Sequence, residues 1–122
     1  MKDFGDYLDL IQSNRKSGNL DEAWRLANEG VVKLKDRFES TMMYYQMSLI
    51  RRKEKKYIDS LSLFGIVVGY LEGFGGETHR QHAEFLLRKI RKDDQFEYFL
   101  NLCKGRPREI IEKVRQWAGS EN

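Results

Sequence analysis

Gly18-Asn19-Leu20-Asp21-Glu22-Ala23 ends one helix and begins another within a single short segment. Gly18 supplies the stop, because glycine takes a left-handed backbone without the steric cost that other residues meet. Asn19 stands three residues before Glu22, the spacing of a capping box, and so predicts the N-cap of the second helix. Upstream, Tyr7, Leu8, Leu10 and Ile11 recur at helical spacing and predict an amphipathic helix over residues 3–17. Downstream, Leu20, Ala23, Trp24, Ala27, Val31 and Leu34 form the apolar stripe of its partner.

The same organisation continues along the chain. Asp36 and Glu39 have N-cap and N3 spacing, and Met42, Met43, Tyr45, Met47, Leu49 and Ile50 supply a third helix. The charged run from Arg51 to Lys56 contains a turn, and a fourth helix runs from Tyr57 to about Glu72. Gly73, Gly75 and Gly76 then break the chain. Thr78 and Gln81 match a capping box, which predicts a fifth helix reaching about Lys92. Asp93-Asp94 predicts the cap of a short sixth helix ending near Lys104-Gly105. Pro107 sits at a favoured first-turn position for a seventh, stopped at Gly119. Strand signals are nearly absent, and no linker separates domains. The expectation is one all-α domain over residues 1–122.

Composition narrows the functional classes. The single cysteine, Cys103, excludes an intramolecular disulfide and fits a reducing compartment. The N-terminal residues Met1 to Asp6 lack the apolar run of a signal peptide, so cytoplasmic residence is the expectation. Leu61 to Leu71 is the most apolar run, well short of the roughly twenty residues a membrane span needs. No membrane partner is expected. The net charge of +3 is spread over both halves and does not by itself point to nucleic acid.

Gly18-Asn19-Leu20-Asp21-Glu22-Ala23 resembles the inter-helix turn of a tetratricopeptide repeat (TPR), with Leu20 as the large apolar turn residue and Ala23 as the small packing residue. Gly30 falls at the second small position, and Tyr7 and Leu10 at the large apolar pair of the preceding helix. A second copy reads Lys55-Lys56-Tyr57-Ile58-Asp59-Ser60, with Phe64 following and with Tyr44 and Met47 aligned to Tyr7 and Leu10. A third, Asp94-Gln95-Phe96-Glu97-Tyr98-Phe99, keeps the aromatic but places Phe99 where a small residue belongs. Leu20, Tyr57 and Phe96 are 37 and 39 residues apart, against an ideal period of about 34. The resemblance implies a TPR-like solenoid, a right-handed stack of about three antiparallel helix hairpins. Ile110, Ile111, Val114 and Trp117 on the seventh helix suit a C-terminal closing helix.

Aligning the copies brings three Arg-Lys dipeptides into register at the ends of first helices: Arg15-Lys16, Arg52-Lys53 and Arg91-Lys92. In the geometry that the resemblance implies, these helices line a concave face. Arg88 extends the row, and Gln12, Tyr45 and Leu49 line the same surface. Arginine offers a rigid fork of donors suited to carboxylate or phosphate. The expected function is therefore protein–protein interaction, an adaptor taking an acidic or extended peptide. Two readings of the row stay open, since basic residues at helix C-termini also complement the helix dipole. The family's lysine–asparagine carboxylate clamp is not reproduced, because Leu8 and Gln12 occupy the corresponding positions of the first copy.

Other features weigh less. Gly65 and Gly69 make a small-xxx-small pair on the apolar fourth helix, read either as close packing inside the domain or as a homodimer seam through residues 57–72. Nucleic acid is the alternative partner, held by the arginine row and the Arg51–Lys56 cluster, with Tyr44, Tyr45 and Tyr57 stacking on bases. Gly73-Phe74-Gly75-Gly76 lacks the lysine of a phosphate loop and reads as a turn. His79 and His82 are three apart but lack a third ligand of convincing spacing, so they read as exposed polar residues rather than a metal site. No catalytic motif is present; neither an enzyme nor a cofactor is expected.

Overall fold

The computed structural model describes residues 2–72 and 75–119. Seven helices run through them: α1 (Phe4–Lys16), α2 (Leu20–Lys33), α3 (Arg37–Lys53), α4 (Tyr57–Leu71), α5 (Glu77–Lys89), α6 (Phe96–Leu102) and α7 (Pro107–Ala118). No strand occurs among the described residues, so the chain is all-helical. Gly73 and Phe74, half of the glycine-rich turn, lie outside the described residues.

Helix starts follow side-chain capping in some places and backbone geometry in others. Asp36 accepts from the Glu39 amide at 3.0 Å, as its spacing predicts. α1 opens on a reciprocal box that the sequence reading passed over, with Asp3 accepting from the Asp6 amide at 2.9 Å and Asp6 from the Asp3 amide at 3.0 Å. Asn19 precedes α2 without a capping hydrogen bond from its side chain. Thr78 does not cap α5 either: Gly76, at φ +128°, breaks the backbone first and the helix begins at Glu77. Asp93-Asp94 falls in a turn, and Gln95 precedes α6 without a side-chain cap. Pro107 is the first residue of α7, where its missing N–H costs nothing.

Helices α1, α3 and α5 end alike. Each closes on a left-handed residue, at Gly18 (φ 88°), Lys55 (φ 63°) and Arg91 (φ 62°). In each the next amide reaches back to the same carbonyl: Asn19 to Asn14 at 2.8 Å, Lys56 to Arg51 at 2.9 Å and Lys92 to Leu87 at 2.8 Å. The left-handed residues themselves donate to Arg15, Arg52 and Arg88 at 3.2, 2.9 and 3.1 Å. These paired bonds are a Schellman motif repeated three times. α5 therefore stops at Lys89, three residues before its expected end near Lys92. α2 and α4 start directly after their motifs, whereas three further residues, 93–95, precede α6.

α4 is the centre of the core. Its residues 60–68 are all buried, packed by α3 and α7 most fully and by α5 and α6 in addition. Each large apolar side chain hidden this way stabilises the fold by roughly 1.5–3 kcal/mol. α1 packs on α2, α2 on α3, and α1 also meets α3. α6 rests on α4 and α7 and shares no comparable contact with α5. The glycines of α4 face α7 and the segment before it. A Cβ on Gly65 would lie 2.9 Å from Ile110 Cγ2, and one on Gly69 would lie 2.6 Å from the Cys103 carbonyl oxygen. Around Gly65 and Gly69 that surface is filled by the chain itself. No helix of the described residues is long and apolar enough to cross a membrane.

Candidate functional site

The shared helix end sets the register of the basic row. Arg15, Arg52 and Arg88 each sit three residues before the left-handed residue of their motif, and each is followed by lysine: Lys16, Lys53 and Lys89. The third member is thus Arg88-Lys89 and not Arg91-Lys92. Arg91 is the left-handed residue itself, exposed beyond the helix. Lys92 is buried, its ammonium 5.3 Å from the centre of the Trp117 ring, and is no part of an open surface.

Two adjoining hollows lie along α1, α3 and α5. One, of about 420 Å³, is lined by Tyr45, Leu49, Arg52, His82, Phe85 and Arg88 together with Thr78 and Gln81. The other, of about 350 Å³, adds Arg15, Lys53, Lys55 and Tyr57. They share Leu49, Arg52 and Phe85, and no carboxylate lines either. Of the residues expected in the site, Arg15, Tyr45, Leu49, Arg52, Lys53 and Arg88 are brought together. Gln12 is half-buried on α1 and lines neither hollow, and Lys16 is exposed outside them.

Arg52 is the most firmly held of the row. Its Cζ lies 3.8 Å from the centre of the Phe85 ring, and its Nη1 is 3.1 Å from Nδ1 of His82. Guanidinium nitrogen only donates, so Nδ1 carries the lone pair and the neutral ring bears its proton on Nε2. Nε2 then donates to Ser48 Oγ at 2.8 Å. Ser48 passes its own proton to the Ser60 carbonyl at 2.7 Å, and Ser60 Oγ returns a bond to the Ser48 carbonyl at 2.7 Å. One buried chain of donors links α4, α3 and α5 to the groove arginine. Burial, then the Arg52 charge and His79, push the His82 pKa down to about 3, which keeps the ring neutral. His82, Phe85, Ser48 and Ser60 escape a sequence reading because their partners are 12 to 34 residues away.

The other arginines are freer. Arg15 Nε is buried without a hydrogen-bond partner. Burial raises the pKa of the Tyr45 hydroxyl, and the charges of Arg15 and Arg52 oppose that shift. Among the described residues, Arg15, Arg52 and Arg88 form no ion pair; the paired cations are Lys2, Arg25, Arg51, Arg80 and Arg115. Lys53 donates to the Arg15 carbonyl at 2.7 Å, so it lines the second hollow with its ammonium tied to the end of α1.

The histidines are not exposed polar residues. His82 is 2% exposed, and His79 is half-buried with its ring 4.5 Å from that of Tyr45 and Nδ1 accepting from the Gly75 amide at 3.0 Å. Both nitrogens of His82 are used within the protein, and no group of three metal-ligating side chains occurs among the described residues. The Arg51–Lys56 cluster is divided: Arg51 stacks on Trp24 at 3.5 Å and pairs with Glu54 at 2.6 Å, away from the groove. No family model, curated protein or solved structure matches the chain.

Proposed function

We propose that this chain is a peptide-binding adaptor of TPR-like build, its groove across α1, α3 and α5 taking an acidic or extended segment of a partner protein. In this reading α1–α2 and α3–α4 are stacked hairpins, α5 extends the stack and α7 closes it over α4. Catalysis is no part of it, and a cytoplasmic setting suits the lone buried Cys103.

The observation that carries the proposal is the row Arg15, Arg52 and Arg88, held at one position of three helix ends and left without carboxylate partners. Helix-dipole compensation alone does not account for it. Arg52 directs its fork to His82 and Phe85 on the neighbouring helix and not to the carbonyls of α3. A ligand carboxylate would meet the held fork of Arg52 beside the guanidinia of Arg15 and Arg88, and each charge-assisted hydrogen bond is worth roughly 1.5–3 kcal/mol. The test is a screen of acidic peptides against wild type and the triple variant Arg15→Ala, Arg52→Ala, Arg88→Ala. The variant should bind its best peptide about a hundredfold more weakly. Equal affinity would make the row ordinary surface.

A further inference from the structure

The groove does not end at the arginine row. Lys55 and Tyr57 line its second hollow and also a third, of about 690 Å³, between the start of α4, the end of α5 and the end of α7. The third hollow has an apolar floor of Tyr57, Ile58, Ile90 and Ala118 and a rim of Lys55, Lys56, Lys89 and Arg115. Its one carboxylate, Asp59, is bound to Arg115 Nε at 3.1 Å, which leaves the three lysines uncompensated by any lining acid. Charge and floor together suit an apolar side chain flanked by acids.

We infer that the partner is an extended acidic segment that runs from Arg88 past Arg52 to the third hollow, seating one apolar side chain on Ile58 and Ile90 among the lysines. This rests on the peptide-binding reading above and adds the length and the pattern of the ligand. Protein is favoured over single-stranded nucleic acid because the aromatic faces are occupied. Phe85 carries Arg52 at 3.8 Å and Lys89 at 5.4 Å, and Tyr57 carries Lys89 at 5.7 Å. Bases need open rings to stack on. A twelve-residue extended segment reaches about 40 Å, enough to cross three helices and turn the edge.

The experiment is fluorescence polarisation with two labelled peptides, one of five glutamates and one of twelve residues, glutamate throughout except for a leucine near each end. The long peptide should bind at least tenfold more tightly. The double variant Lys56→Ser, Ile58→Ser changes side chains that line the third hollow and neither of the other two. It should cost the long peptide about tenfold and leave the short one unchanged. If the double variant leaves the long peptide unaffected while Arg52→Ala weakens both, the extension is wrong and the groove reading survives. If neither peptide binds the wild type, both fail. Tighter binding of a twelve-nucleotide oligouridylate than of the long peptide would overturn the choice of partner.

Discussion

The guanidinium of Arg52 lies over the Phe85 ring, 3.8 Å from Cζ to ring centre, while Nη1 donates to His82 Nδ1 at 3.1 Å. One side chain of α3 is thereby fixed by two residues of α5 that lie on the same face, three apart. Arg52→Ala should remove the stacking and leave a buried ring nitrogen without its donor. The expected loss is about 1–3 kcal/mol in urea denaturation. Arg52→Lys should recover only part of it, because an ammonium cannot match the planar stack and the directed bond together. Full recovery by lysine would mean that only the charge matters.

The state of His82 makes stability depend on pH in a defined window. Its folded pKa is about 3, below the ordinary value near 6.5. The unfolded chain therefore takes up a proton that the folded chain refuses. The stability contributed by the neutral ring is complete above pH 6.5 and is lost as pH falls from there toward 3. Each pH unit in that interval costs about 1.4 kcal/mol, so wild type should lose about 2 kcal/mol between pH 6.5 and 5. The half-buried His79, also shifted down by burial, adds in the same direction. His82→Gln should remove most of this slope when denaturation is followed at both pH values. An unchanged slope in the variant would show that the ring does not titrate as its setting requires.

The sequence revealed the helices more fully than their joints. All seven are legible because apolar residues recur at helical spacing and because glycine, proline and Asp36 mark several boundaries. What stayed hidden was backbone geometry at residues that do not advertise it. Lys55 and Arg91 take the left-handed position usually given to glycine, so Ile90-Arg91-Lys92 reads as a continuing helix. That moved the third Arg-Lys pair by three residues, although Arg88-Lys89 stood one turn earlier. The groove was half legible. Arg15 and Arg52 stand out in the sequence as Arg-Lys pairs at helix ends, whereas Phe85, His82 and Ser48 become part of it only through contacts that the fold creates.

Close packing can be tested at three helix glycines, Gly30 of α2 and Gly65 and Gly69 of α4. Alanine gains about 1 kcal/mol over glycine in a helix interior, so any net loss measures the clash. At Gly30 an added Cβ meets Met43 Sδ at 2.6 Å, the yielding part of a flexible side chain, and Gly30→Ala should be nearly neutral. At Gly65 it meets a branch of Ile110 at 2.9 Å, which must shift. At Gly69 it meets a backbone oxygen of Cys103 at 2.6 Å, which moves only if the end of α6 moves. Gly69→Ala should be the worst of the three, losing about 2–3 kcal/mol in thermal or urea unfolding. A Gly69→Ala protein as stable as wild type would show that the end of α6 does not press on α4 there.

The register of the basic row has its own test, because Arg88 and Arg91 differ in both geometry and surroundings. Arg91 holds φ 62°, a conformation that costs a side chain with a Cβ about 1 kcal/mol, and it lies outside both hollows. Arg91→Gly should therefore raise stability by about 0.5–1 kcal/mol and leave acidic-peptide binding as it was. Arg88 is exposed on α5 and lines the groove. Arg88→Ala should change stability by no more than about 0.5 kcal/mol while weakening the peptide measurably. Binding that fell with Arg91→Gly and persisted with Arg88→Ala would put the ligand past the helix end, on a surface the shared Schellman register does not create. The two substitutions stand three residues apart, so the comparison separates a groove built by aligned helix ends from a basic segment that merely follows them in sequence.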